Sequence, residues 1–176
     1  ISDGIVEGNE TMTLSAATSS NVSAVVGTGT IVDSSVPTIS LSGPVSVNEA
    51  AGTITYTVSL SSANAAPVSV NYATTNGTAT AGSDYTAASG SLTFNPGEVS
   101  KTFTVAITND SVFEGAENFQ VNLSSPTNAT IATGNVTTTI RDDGTGTGGG
   151  DDDRLVVTSV SSPTVAEGGN LIFAVN

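Results

Sequence analysis

Lys101-Thr-Phe-Thr-Val-Ala-Ile-Thr-Asn-Asp110-Ser-Val-Phe-Glu114-Gly-Ala-Glu117-Asn-Phe-Gln-Val-Asn-Leu123 consists of two alternating runs around an acidic loop. Phe103, Val105 and Ile107 alternate with polar residues, and so do Phe119, Val121 and Leu123. That period of two is the mark of strands with one face buried. Between them Asp110, Glu114 and Glu117 bring three carboxylates close together in a chain that is poor in charge.

The same alternation extends outward in both directions. It predicts strands over 38–47, 53–61, 67–74, 90–95, 101–108, 117–124 and 131–140, with Val68, Val70 and Tyr72 sharing one face of the third. Pro44, Pro67, Pro96 and Pro126 fall in turns, at strand starts or at a break in the first strand, where a missing donor costs little. Short strands at this spacing predict an all-β fold, a seven-stranded immunoglobulin-like Greek-key β-sandwich. An eight-stranded jelly roll or small barrel is the alternative.

The acidic loop occurs twice. Asp3, Glu7 and Glu10 precede Asp110, Glu114 and Glu117 by 107 residues each, and Ile31-Val-Asp33 precedes Ile140-Arg-Asp142 by 109. Ser46-Val-Asn-Glu49 likewise returns as Thr164-Val-Ala-Glu167. The expected organisation is therefore a tandem array with partial flanking repeats. Residues 1–35 read as the C-terminal part of a preceding repeat and 36–144 as a complete domain. Residues 145–153 read as a Gly/Asp-rich linker and 154–176 as the first strands of a following β-sandwich. Asp151-Asp-Asp153 is taken as part of that solvated linker rather than as a ligand set.

Composition narrows the chemistry. Sixteen acidic residues face three basic ones, a net charge of −13. Nucleic acid is excluded as a partner because phosphate binding needs a basic surface. No apolar run is long enough to insert into a membrane. Histidine and cysteine are absent, which removes imidazole and thiolate metal sites, the common nucleophilic arrangements and disulfides. Hard oxygen ligation of Ca²⁺ remains open. A glycosidase-like pairing of Glu114 with Glu117 lacks the aromatic platforms of a sugar cleft, since the chain has no tryptophan, and the expectation is no enzyme.

Strand parity predicts where the acids gather. Glu49 follows the first strand, Asp84 the third, the loop of Asp110, Glu114 and Glu117 the fifth, and Asp142 and Asp143 the seventh. Odd-numbered exits share one end of a sandwich, so these seven carboxylates converge there. Glu98 follows an even-numbered strand and belongs at the opposite end, in a solvated role.

Val-Asn-Glu49, Gly82-Ser-Asp84-Tyr85, Asp110-x-x-x-Glu114-Gly-x-Glu117-x-Phe119 and Ile140-Arg-Asp142-Asp143 together resemble the Calx-beta domain, a calcium-binding sandwich repeated in many large extracellular proteins. The resemblance implies Ca²⁺ at one end, with Glu49, Asp84, Asp110, Glu114, Asp142 and Asp143 as side-chain ligands. It implies a backbone carbonyl from Val112, and it marks Glu117 as a weaker ligand or a loop-orienting residue. Asn109 and Arg141 stand where further acids are often found, which argues for fewer ions or weaker affinity. The expected function is a calcium-binding spacer module of a large secreted or cell-surface, adhesin-like protein, in which Ca²⁺ rigidifies one end of each sandwich. Its expected partners are neighbouring domains of the same chain, with surface proteins or glycans beyond them. The alternative is an accessory carbohydrate- or protein-binding module of an exported hydrolase or adhesin.

Overall fold

The structure, a computed structural model, describes residues 5–6, 9–16, 25–31, 36–144, 147, 157–161, 164 and 167. Asp3, Glu7, Asp33 and Asp151–Asp153 lie outside the described residues, as do most of the expected linker and nearly all of 154–176. In chain order the strands are β1 (Ile5–Val6), β2 (Glu10–Ala16), β3 (Val25–Ile31), β4 (Thr38–Ser42), β5 (Ser46–Asn48) and, after a 3-10 turn at Glu49–Ala51, β6 (Thr53–Leu60). Then come β7 (Ala63–Asn64), β8 (Val68–Asn76), β9 (Ser89–Phe94), β10 (Ser100–Ala106), β11 (Ala116–Thr127), β12 (Thr130–Thr133) and β13 (Asn135–Arg141). Among the described residues, no helix is long and apolar enough to cross a membrane.

Two sheets make the sandwich, one in the order β10-β6-β4-β12 and the other β5-β13-β11-β8-β9. The alternating rows of the sequence become its inner faces. Ile54, Tyr56 and Val58 of β6 and Phe103 and Val105 of β10 meet Val68 and Val70 of β8, Phe119 and Val121 of β11, and Ile140 of β13 in one buried cluster. Phe103 stacks across the gap on Tyr72, with ring centroids 3.9 Å apart. Both sheets and the entire cluster lie within residues 36–144.

The first and last expected runs each divide between the two sheets. Residues 38–47 separate into β4 and β5 at Gly43-Pro44, and 131–140 into β12 and β13 at Gly134. Proline has no N–H to offer a ladder, which ends the first pairing there. Glycine is required at position 43 for another reason, because a Cβ would come within 2.2 Å of the Tyr56 ring. The buried Tyr56 hydroxyl hydrogen-bonds Thr138 Oγ1, which donates to the Pro44 carbonyl at 2.6 Å. Polar groups inside the core are thereby satisfied at the crossing point.

Ahead of this unit, β2 and β3 pair as a hairpin with Glu10 opposite Ile31, Met12 opposite Gly29 and Leu14 opposite Gly27. β11 and β13 pair Glu117 with Ile140, Phe119 with Thr138 and Val121 with Val136. Adding 107 to the first strand and 109 to the second turns one register into the other. The sequence repeat is thus also a repeat of strand pairing.

Candidate metal centre

Each acidic side chain is placed by a different local device. Asn48 caps the 3-10 turn by accepting from the Ala50 N–H at 2.9 Å, which sets Glu49 at the end of the sandwich. Glu49 is only 6% exposed, and its Oε1 accepts the Asp110 N–H at 2.6 Å. Asp84 sits in the β8–β9 connection, where its Oδ2 accepts from Thr80 N at 2.6 Å and its carbonyl accepts from Thr108 N at 3.0 Å. The adjacent Tyr85 anchors this loop. Its ring is buried on Phe119 with centroids 4.3 Å apart, and its hydroxyl donates to Asn76 Oδ1 at 2.6 Å.

In the β10–β11 loop, Asp110 Oδ1 accepts the Val112 N–H at 2.8 Å and so folds the loop onto itself. Gly115 has φ +80°, a conformation that residues with a Cβ disfavour, and it turns the chain between Glu114 and Glu117. Asp142, only 2% exposed at the end of β13, accepts the Glu114 N–H on Oδ2 at 3.2 Å.

These loops enclose a small cleft lined by Glu49, Ser83, Asp84, Thr108, Asp110, Glu114, Gly115, Glu117, Ile140 and Asp142. At its centre, carboxylate oxygens of Asp84, Glu114 and Glu117 lie within 4.8 Å of one another. Removal from water raises the Glu114 carboxyl above its ordinary pKa, with the charges of Asp84, Asp110 and Asp142 adding to the effect. Glu117 is raised in the same way, first by desolvation and then by Asp84 and Glu114. The basic side chains of the described residues are engaged elsewhere. Lys101 pairs with Glu98 at 2.7 Å in the turn at the opposite end, and Arg141 bonds Ser46 Oγ at 3.0 Å and approaches Asp143 at 3.8 Å.

Of the eight positions singled out in the sequence, the cleft brings together Glu49, Asp84, Asp110, Glu114, Glu117 and Asp142. Asp143 and Val112 do not line it: Asp143 faces Arg141, and Val112 is 57% exposed on the outer loop. Glu117, marked as a weaker candidate by the resemblance, is one of the three central carboxylates. Sequence reasoning did not single out Ser83 or Thr108, because hydroxyl residues are too common in this chain to stand out.

The Calx-beta domain model matches residues 33–144, a segment that contains both sheets and the whole cleft. The chain belongs to the Calx-beta domain family. This Calx-beta domain is similar to the apo-form Calx CBD1 domain, with a TM-score of 0.56 and 31% identity, covering 60% of this chain and 98% of that one. It is also similar to the calcium binding domain CBD12 of CALX1.1, with a TM-score of 0.56 and 29% identity over 65% of this chain and 44% of that one. Sodium/calcium exchanger 1 of Canis lupus familiaris is 49% identical over 57 residues, which are 32% of this chain. The matched segment spans only 6% of the exchanger's length.

Proposed function

We propose that the cleft binds Ca²⁺ and that the Calx-beta domain serves as a calcium-stiffened spacer in a tandem array. The observation that carries the proposal is the trio Asp84, Glu114 and Glu117, with oxygens within 4.8 Å of one another. Calcium binds oxygen at about 2.3–2.6 Å, so two ligands of one ion lie no more than about 5 Å apart. The trio fits that limit, and the donor set is all oxygen. Glu49, Asp110 and Asp142 would add carboxylates from three further positions around the cleft. When bound, the ion supplies positive charge that turns mutual repulsion into attraction. It thereby ties the β8–β9 connection to the β10–β11 loop.

Thermal melting in chelator and in millimolar calcium tests this. The midpoint should rise with calcium, and Asp110→Ala or Glu114→Ala should abolish the rise. Identical melting curves would sink the site.

The array reading divides the chain at 1–35, 36–144, 145–153 and 154–176, and the matching registers of β2–β3 and β11–β13 support its first division. A spacer reading is favoured over a sugar-binding one by the surface. Among the described residues, Phe113 is the exposed aromatic, and it sits in a loop rather than on a sheet face. An exported or cell-surface parent, with neighbouring domains as the first partners, belongs to the same proposal. It is supported by Asn109 and Arg141, which lower the site's charge toward the weak affinity suited to millimolar calcium. Scattering from a multi-unit chain should show longer, stiffer particles in calcium; equal dimensions with and without it would argue against the spacer.

A further inference from the structure

The chain enters the 36–144 unit at the end opposite the cleft. Thr38 and Ser61 bond each other there twice, Ser61 N to Thr38 O at 2.9 Å and Thr38 N to Ser61 Oγ at 2.9 Å. Only two residues after Ser61 comes β7, whose Asn64 carbonyl accepts from Gly97 N at 3.2 Å in the far-end turn. β7 pairs in parallel with β1, Ile5 opposite Ala63 and Val6 opposite Asn64. Ile5 and Val6 lie inside the first copy of the acidic loop, between Asp3 and Glu7. The loop of one repeat is thus joined to the far-end edge of the next.

The residues equivalent to Ile5 and Val6 in the complete unit, 107 positions later, are Val112 and Phe113. They are 57% and 46% exposed, an apolar pair at the tip of an acidic loop. We propose that Val112–Phe113 is a docking strand for the Ala63–Asn64 edge of another copy of this unit, forming the same parallel pair that Ile5–Val6 forms here. The inference rests on the array reading but not on calcium. Such an interface is heterologous, head to tail, so it propagates along an array instead of closing into a dimer. Two residue pairs give little affinity alone. Tethering at roughly millimolar effective concentration makes the contact count between neighbours.

The test uses a ¹⁵N-labelled 36–144 unit, which lacks β1 and so leaves the Ala63–Asn64 edge open, titrated with unlabelled full chain. Ala63 and Asn64 amides should shift progressively at roughly millimolar full chain. Full chain carrying Phe113→Pro, which removes the donor at the tip, should produce no such shifts while its other resonances remain those of a folded protein. Labelled full chain, whose edge is already covered by Ile5–Val6, should also stay silent at these amides. The proposal is overturned by absent shifts in the labelled unit, by equal shifts with Phe113→Pro, or by equal shifts in labelled full chain. Scattering from a multi-unit chain in chelator and in calcium separates the docking from the array reading, because absent docking beside calcium-dependent stiffening overturns the docking alone.

Discussion

Asp84→Asn should make this domain more stable without calcium and less stable with it. Asp84 takes part in two of the three close contacts among the central carboxylates, whose oxygens lie within 4.8 Å. At that separation a pair of full charges repels by about 3.5 kcal/mol at an effective dielectric of 20 and by about 0.9 kcal/mol in bulk water. Glu114 is exposed and neither Asp84 nor Glu117 is fully buried, so water screens the repulsion and the relief falls near the lower figure. A gain of about 1–2 kcal/mol in chelator follows, which for a domain of this size raises the melting midpoint by roughly 4–8 °C per kcal/mol. Asparagine keeps an oxygen to accept the Thr80 N–H, so the loop is not undone by the change. In calcium the order reverses. The native site gains about 2.7 kcal/mol when calcium stands at 100 times its dissociation constant, and a site without the Asp84 charge gains less. Differential scanning calorimetry of both proteins, in chelator and in calcium, should show the midpoints crossing. A variant destabilised equally in both conditions would refute the reasoning, since that is the pattern of a purely structural aspartate.

Other expectations follow from the same geometry. Glu114 and Glu117 are raised above the ordinary 4.5, so the calcium-free folded state binds more protons than the unfolded chain, and stability should fall as pH rises from about 4.5 through the raised values. Denaturant melts across that window should show the slope in chelator, and calcium should flatten or reverse it. Gly43→Ala places a methyl 2.2 Å from the Tyr56 ring and should cost about 1–3 kcal/mol in a urea melt, with a smaller penalty in a Tyr56→Leu background. Tyr85→Phe loses the hydrogen bond to Asn76 and should cost about 1 kcal/mol while weakening calcium affinity, because that ring anchors the loop carrying Asp84.

The sequence made the strands and the acidic end legible because alternation and loop parity are both consequences of a period of two. The same rule carried more than was drawn from it. Glu117 continues the buried row of Phe119, Val121 and Leu123, and Asp142 continues that of Thr138 and Ile140, whereas Arg141 and Asp143 lie on the other parity. Inward placement of Glu117 and outward placement of Asp143 were therefore written in the strands beside them. The crossings from β4 to β5 and from β12 to β13 were not. Alternation tells which face is buried and says nothing about which neighbour a strand pairs with, so a run that changes sheets keeps the same pattern. Nor could residues 43 and 56, far apart in sequence, announce that a ring would press against a glycine. β1 and β7 are two residues each, too short for any period to register.

Calcium titration of the chelator-stripped chain by isothermal calorimetry at neutral pH tests the proposed site most directly. Saturable binding should appear at micromolar to millimolar calcium, and it should be lost in the Asp84→Asn, Glu117→Gln double variant. No saturable heat up to about 10 mM calcium, or equal binding by the double variant, would contradict it.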